Sequence, residues 1–194
     1  LRKRLARGMR LFYAVELPRE VQAHLARLRP QANDDSRDYR WVEPGLLHVT
    51  LAFLGEQPPE RLPLLEDIAR QVASESRPGV LRIGEPETLG SGRRAPQVLY
   101  MGVDGDLAAL TDLQSRLVSA LRAHDIHLED RPFRPHITLA RRRASARGGA
   151  PPGWPPDQII HTAFPLDHLT LFESRLSPRG ASYLPLAQVS LAPS

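Results

Sequence analysis

Two stretches of this chain carry nearly the same five residues. Leu46-Leu-His48-Val-Thr50-Leu-Ala52 and, 88 positions later, Pro135-His136-Ile-Thr138-Leu-Ala140 share His-(Val/Ile)-Thr-Leu-Ala. An imidazole with a pKa near 6.5 changes charge close to neutrality. Two of them in one site can divide the work: one takes a proton while the other gives one. A threonine two residues on adds a hydroxyl that donates or accepts. Packing alone has no reason to place His at the same point in both copies.

The elements that carry these groups follow from the pattern. Apolar and polar residues alternate through both copies, as in half-buried strands. Leu47, Val49, Leu51 and Phe53 fall on one face of the first; His48, Thr50 and Ala52 fall on the other. In the second, Ile137 and Leu139 oppose His136, Thr138 and Ala140. The apolar faces pack on helices. The other faces are polar, with room for a ligand.

At these residues the sequence resembles the 2H phosphoesterases, and within them the RNA 2′,3′-cyclic phosphodiesterases, also called 2′-5′ RNA ligases. Further stretches carry the likeness. Arg10-Leu-Phe12-Tyr-Ala-Val-Glu-Leu-Pro18 resembles the family's opening strand. Trp41-Val-Glu-Pro44 and Phe133-Arg134-Pro135 fit the approaches to the two motifs. Leu171-Phe172-Glu173-Ser174, Gly180 and Tyr183-Leu184 fit its closing hairpin.

The resemblance implies an α+β fold of two lobes. Each is an antiparallel sheet with flanking helices, the lobes are related by a pseudo-twofold axis, and the active-site groove lies between them. It implies hydrolysis of a terminal 2′,3′-cyclic phosphate on RNA to a 2′-phosphate. Water loses a proton as it attacks phosphorus and the departing ribose oxygen gains one. Attack and departure are in line, so base and acid stand on opposite sides. The 3′ oxygen leaves, which implies His48 as general acid and His136 as general base; a symmetric site can exchange these roles with substrate orientation. Thr50 and Thr138 would hold the non-bridging oxygens. Arg134, on the face of His136 if the strand begins that early, would stabilise the charge of the pentacoordinate state. Phe12 and Phe172 would line the groove or stack on a base. A 5′-hydroxyl in place of water would give a 2′-5′ bond without ATP.

Alternatives are the same chemistry on another cyclic phosphate or a 2′-5′ oligonucleotide, an RNA-binding module without turnover, and a metal-dependent hydrolase. Each His-x-Thr offers one ligand without a matching carboxylate or Cys, so neither a metal nor another cofactor is expected. There is no Gly-x-x-x-x-Gly-Lys loop for ATP. His24, His124, His127, His161 and His168 lack such context and read as surface or capping residues.

Composition sets the limits. The 194 residues suit one well-cored unit, here 9–194, with 1–8 as a disordered basic tail before Met9. Residues 1–9 lack the apolar stretch of a secretory signal. No run of 18 apolar residues crosses a membrane. With no Cys there is no disulfide, thiolate site or Cys nucleophile. These features suit a cytoplasmic monomer. The net charge of +4 suits a polyanionic partner, and the basic residues are almost all Arg, largely a matter of codon bias. Arg93, Arg94 and Arg141 to Arg143 could contact RNA phosphates.

The remaining pattern predicts strands at 11–17, 41–42, 80–89, 97–103, 159–164, 166–174 and 181–191. Helices are expected from Pro18 to about Arg29, from Pro58, and over 106–123. The strands at 80–89 and 97–103 form a hairpin. Residues 31–38 read as a polar loop and 141–156, rich in Arg, Gly, Ala and Pro, as a long surface loop.

Overall fold

The computed structural model describes residues 8–29, 38–90, 96–147, 149, 154–156, 159, 161–177 and 180–192. The tail 1–7, Arg93, Arg94, the loop at 30–37 and much of 150–160 lie outside the described residues. Among those described, nine strands form one sheet: β1 (Met9–Glu16), β2 (Tyr39–Trp41), β3 (His48–Gln57), β4 (Gly79–Leu89), β5 (Val98–Gly105), β6 (His136–Arg142), β7 (Ala163–Leu166), β8 (His168–Ser177) and β9 (Gly180–Ser190). Three α-helices pack on it: α1 (Arg19–Ala26), α2 (Leu62–Ser74) and α3 (Leu107–Ala123).

The sheet order is β7-β4-β5-β6-β3-β1-β8-β9, with β2 added to β6, and all pairings are antiparallel. The order is symmetric about its middle. The units β1-α1-β3 and β5-α3-β6 are the two copies of the repeat; β3 meets β6 at one pair, Val49↔Ile137, and β2, between α1 and β3, pairs with β6 beyond it. The two expected lobes are therefore the halves of one curled sheet. Each copy also lends a strand to the other: β4 follows β3 in sequence but pairs with β5, while β8 follows β6 and pairs with β1.

Local sequence accounts for the elements. Val21 and Leu25 form the buried side of α1. A 3-10 turn at Pro59–Arg61 leads into α2, which buries Leu65, Ile68, Ala69 and Val72. Asp106 caps α3 by accepting from the Ala109 amide at 3.2 Å. The helices and the inner sheet face enclose one main core, with Leu110, Leu113, Leu117, Ile137 and Leu171 wholly buried. Tyr13 joins it and donates its hydroxyl to the Leu65 carbonyl at 2.7 Å. A smaller core on the opposite face contains Phe12, Ala14 and Phe172, with Tyr183 against it.

Three expectations shift. The second motif strand, expected to run through Arg141, extends to Arg142, because Tyr39 of β2 pairs with it. Leu166 ends β7 instead of opening β8. The alternation in the motif strands also breaks midway. Register shifts between Tyr13 and Ala14, and between Leu99 and Tyr100, turn Ala52 (7% exposed) and Ala140 (0%) into the core. Phe53 then emerges at 46% exposure, and Arg141 is exposed likewise. A bulge adds one residue and so exchanges the two faces beyond it. It does so at the same place in both copies.

Candidate active site

The two histidines stand at the starts of β3 and β6, on either side of the Val49↔Ile137 joint. Their rings are held in the same way. His48 Nδ1 lies 2.7 Å from the Leu46 carbonyl, and His136 Nδ1 lies 2.7 Å from the Arg134 carbonyl. A carbonyl oxygen can only accept, so each Nδ1 carries the hydrogen. Each Nε2 is thereby the atom left for chemistry. The carbonyl before His48 is set by a 3-10 turn at Pro44–Leu46, and Pro135 stiffens the approach to His136. Thr50 Oγ1 is 3.0 Å from His48 Nε2 and donates to it when the ring is neutral.

The two rings have unlike surroundings. His48 lies against Phe12 at 5.0 Å and edge-on to Tyr183 at 5.3 Å between ring centroids. Burial pushes its pKa down. The bond to Leu46 opposes that shift, while the charges of His136 and Arg141 add to it. His136 instead meets the edge of Tyr100 at 5.1 Å. The Tyr100 hydroxyl donates to Glu87 Oε2 at 2.7 Å, and burial with this carboxylate raises its pKa.

Of the residues expected at the site, His48, Thr50, His136 and Thr138 come together on one face at the joint. Arg134 precedes β6 and is exposed; its backbone carbonyl holds His136 Nδ1, and its charge acts on the phenol of Tyr100 beside that ring. Phe12 offers no free surface for stacking a base. It is 1% exposed, covered by Phe53 at 5.4 Å, Phe172 at 5.3 Å and Tyr183 at 4.9 Å. It serves as the floor under His48, with Phe172 (8% exposed) beside it. Tyr100, Tyr183 and Arg141 were not expected in these positions. Only the register of β5, β8 and β9 brings them there, and no spacing in the sequence signals it.

Three of the other histidines have hydrogen-bond partners away from this site. His24 pairs with Thr162, His161 with the Ile83 carbonyl and His168 with Asp167, while His124 ends α3. Among the described residues no three of His, Cys, Asp and Glu cluster around a common point.

A curled antiparallel sheet with paired His-x-Thr strands at its midline defines the two-histidine phosphoesterase class. The family model of the 2′-5′ RNA ligase superfamily matches residues 17–177, and the chain belongs to that family. A Thermus thermophilus protein named RNA 2′,3′-cyclic phosphodiesterase is 34% identical over 191 residues, covering 94% of this chain and 90% of its own. An Escherichia coli protein of the same name is 28% identical, covering 96% and 99%. A crystal structure from Thermus thermophilus superimposes with a TM-score of 0.78 at 33% identity, over 94% of this chain and 98% of that one. Escherichia coli LigT complexed with 3′-AMP gives 0.75 at 27% identity, over 95% and 98%.

Proposed function

We propose that this chain is an RNA 2′,3′-cyclic phosphodiesterase that opens the terminal cyclic phosphate to a 2′-phosphate. One observation carries the mechanism: two imidazoles, each fixed through Nδ1 to the carbonyl two residues back, present their Nε2 atoms from the two halves of a pseudo-twofold site. A phosphate between them has one ring on each side, as in-line displacement requires. Thr50 and Thr138 donate to its non-bridging oxygens. Arg134 and Arg141 supply positive charge as the pentacoordinate state forms. His136 takes the proton of the attacking water, and His48 returns one to the departing 3′ oxygen. Attack by a 5′-hydroxyl instead of water forms a 2′-5′ linkage without ATP. A monomer working in the cytoplasm without metal is part of this reading.

The burial of His48 favours a second assignment. Its lowered pKa favours the neutral ring, which suits the base. The first assignment requires the bound phosphodiester anion to restore its proton, and burial then makes that proton easier to give away. The chemistry of the bound substrate therefore assigns the roles.

The test is phosphorus NMR of an RNA oligomer ending in a 2′,3′-cyclic phosphate, incubated with the protein and EDTA. The expected product is a 2′-phosphomonoester, absent with His48→Ala or His136→Ala. A 3′-phosphate would keep two-histidine chemistry and exchange acid and base. An unchanged cyclic signal would overturn the proposal.

A further inference from the structure

Several arginines of the solvated surface are paired with a carboxylate. Arg29, Arg70, Arg77, Arg116, Arg122, Arg131 and Arg175 each sit within 4.0 Å of Asp or Glu. Arg10 and Arg40 have no such partner among the described residues. Their placement makes this more than a feature of the solvated surface.

Arg40 lies on β2 directly opposite Arg141 on β6, two like charges side by side on neighbouring strands. Such a pair costs stability unless an anion joins it. The Arg40 side chain extends to the β8–β9 hairpin, where its Nη2 lies 2.7 Å from the point a Cβ on Gly180 would occupy. Gly180 has φ +131°, a conformation that favours glycine, and its missing Cβ leaves that space open. Arg10 shares the face of β1 with Phe12, the floor under His48. Its register partner on β3 is Glu56, yet that carboxylate turns toward Gly8, with Oε2 3.5 Å from the position of a Cβ there. Both guanidinium groups, with that of Arg141, act on the phenol of Tyr183, opposing the upward push of its burial. Tyr183 in turn stands edge-on to His48. On the His136 side one cation, Arg134, acts on the phenol of Tyr100, and that phenol is bonded to the Glu87 carboxylate.

We infer that Arg10 and Arg40, flanking Tyr183 beside His48, form a subsite for a second phosphate: the phosphodiester next to the terminal ribose of a single-stranded RNA. This rests on the proposed activity and narrows it. The substrate is the end of a polynucleotide rather than a mononucleoside cyclic phosphate. The chain leaves the reacting centre on the His48 side, past the β8–β9 hairpin.

The experiment compares adenosine 2′,3′-cyclic phosphate with an RNA tetranucleotide ending in the same group, for wild type, Arg10→Gln and Arg40→Gln. Wild type is expected to favour the tetranucleotide in kcat/KM. Each variant loses about tenfold on the tetranucleotide through KM and retains its rate on the mononucleotide. A single phosphate contact accounts for a slope of about 0.7 in log K against log salt on single strands, and each variant should lose about that much. Equal losses on both substrates would overturn the subsite, since they would mean an effect on the reacting centre or the fold. No loss on either would overturn it as well. If wild type hydrolyses neither substrate, the functional reading fails, and fluorescence anisotropy with labelled single-stranded RNA decides the subsite separately. Weaker, less salt-sensitive binding by both variants sustains it, and unchanged binding ends it.

Discussion

Replacing His48 by alanine removes the group assigned to the departing oxygen, and the consequence depends on what departs. General acid catalysis contributes about 10²- to 10⁴-fold, or roughly 3–5 kcal/mol of barrier. The loss on an RNA 2′,3′-cyclic phosphate should fall in that range. Structure adds a cost that must be kept apart. The Leu46 carbonyl loses its donor at 2.7 Å, and Phe12 and Tyr183 lose a ring at 5.0 and 5.3 Å. An unmade bond of this kind costs about 1–3 kcal/mol of stability, so a thermal melt must first show that the variant is folded. The assay is single-turnover hydrolysis of a cyclic substrate whose 3′ bridging oxygen is replaced by sulfur. A thiol of pKa about 8.5 departs as the thiolate and does not need the acid. The deficit of His48→Ala should shrink to within about tenfold on this substrate, while His136→Ala keeps its full deficit. The opposite pattern would make His48 the base. Rescue of neither variant would refute acid–base catalysis by this pair.

Thr50→Ala and Thr138→Ala should each lower kcat by about 10²-fold, the typical loss for one donor to a developing oxyanion; retention of full kcat in both would remove the threonines from the phosphate site. The depressed pKa of His48 also sets a sign for stability. Near pH 6.5 the unfolded chain takes up a proton that the folded ring resists, so the contribution is complete above that pH and is lost as pH falls toward the folded value. Urea midpoints at pH 7.5 and 5.5 should therefore differ less in His48→Gln than in wild type. Asp106→Ala removes the cap of α3 and the bidentate partner of Arg77, with bonds of 2.9 and 3.0 Å. It should cost about 1 kcal/mol of unfolding free energy without changing kcat.

Much of this is legible in the sequence. The two His-x-Thr strands announce themselves because alternation is a local property: neighbouring residues on a strand point to opposite faces whatever the strand pairs with. The amphipathic α2 and α3, with buried residues at helical spacing, are legible for the same reason. The β4–β5 hairpin is legible because its strands adjoin in sequence. Where the prediction slipped, a distant partner decided. Arg142 stays in a strand because Tyr39 pairs with it across about a hundred residues. Phe53 was assigned to the apolar face and lies on the other, because the register of β1 against β3 requires a bulge.

The sequence by itself determined the chemistry: two imidazoles and two hydroxyls, repeated in one context, and the family they indicate. Tertiary structure decided how those groups are set against each other. It joined the two copies where β2 and β3 meet β6, and exchanged strands between the halves. It set His48 against carbon rings, where burial lowers its pKa, and His136 against a tyrosine tied to a carboxylate, so chemically identical histidines meet unlike surroundings. The reason is physical: residue type and spacing fix what a group can do. Its pKa and its partners depend on burial and register, which arise only when segments distant in sequence pack together.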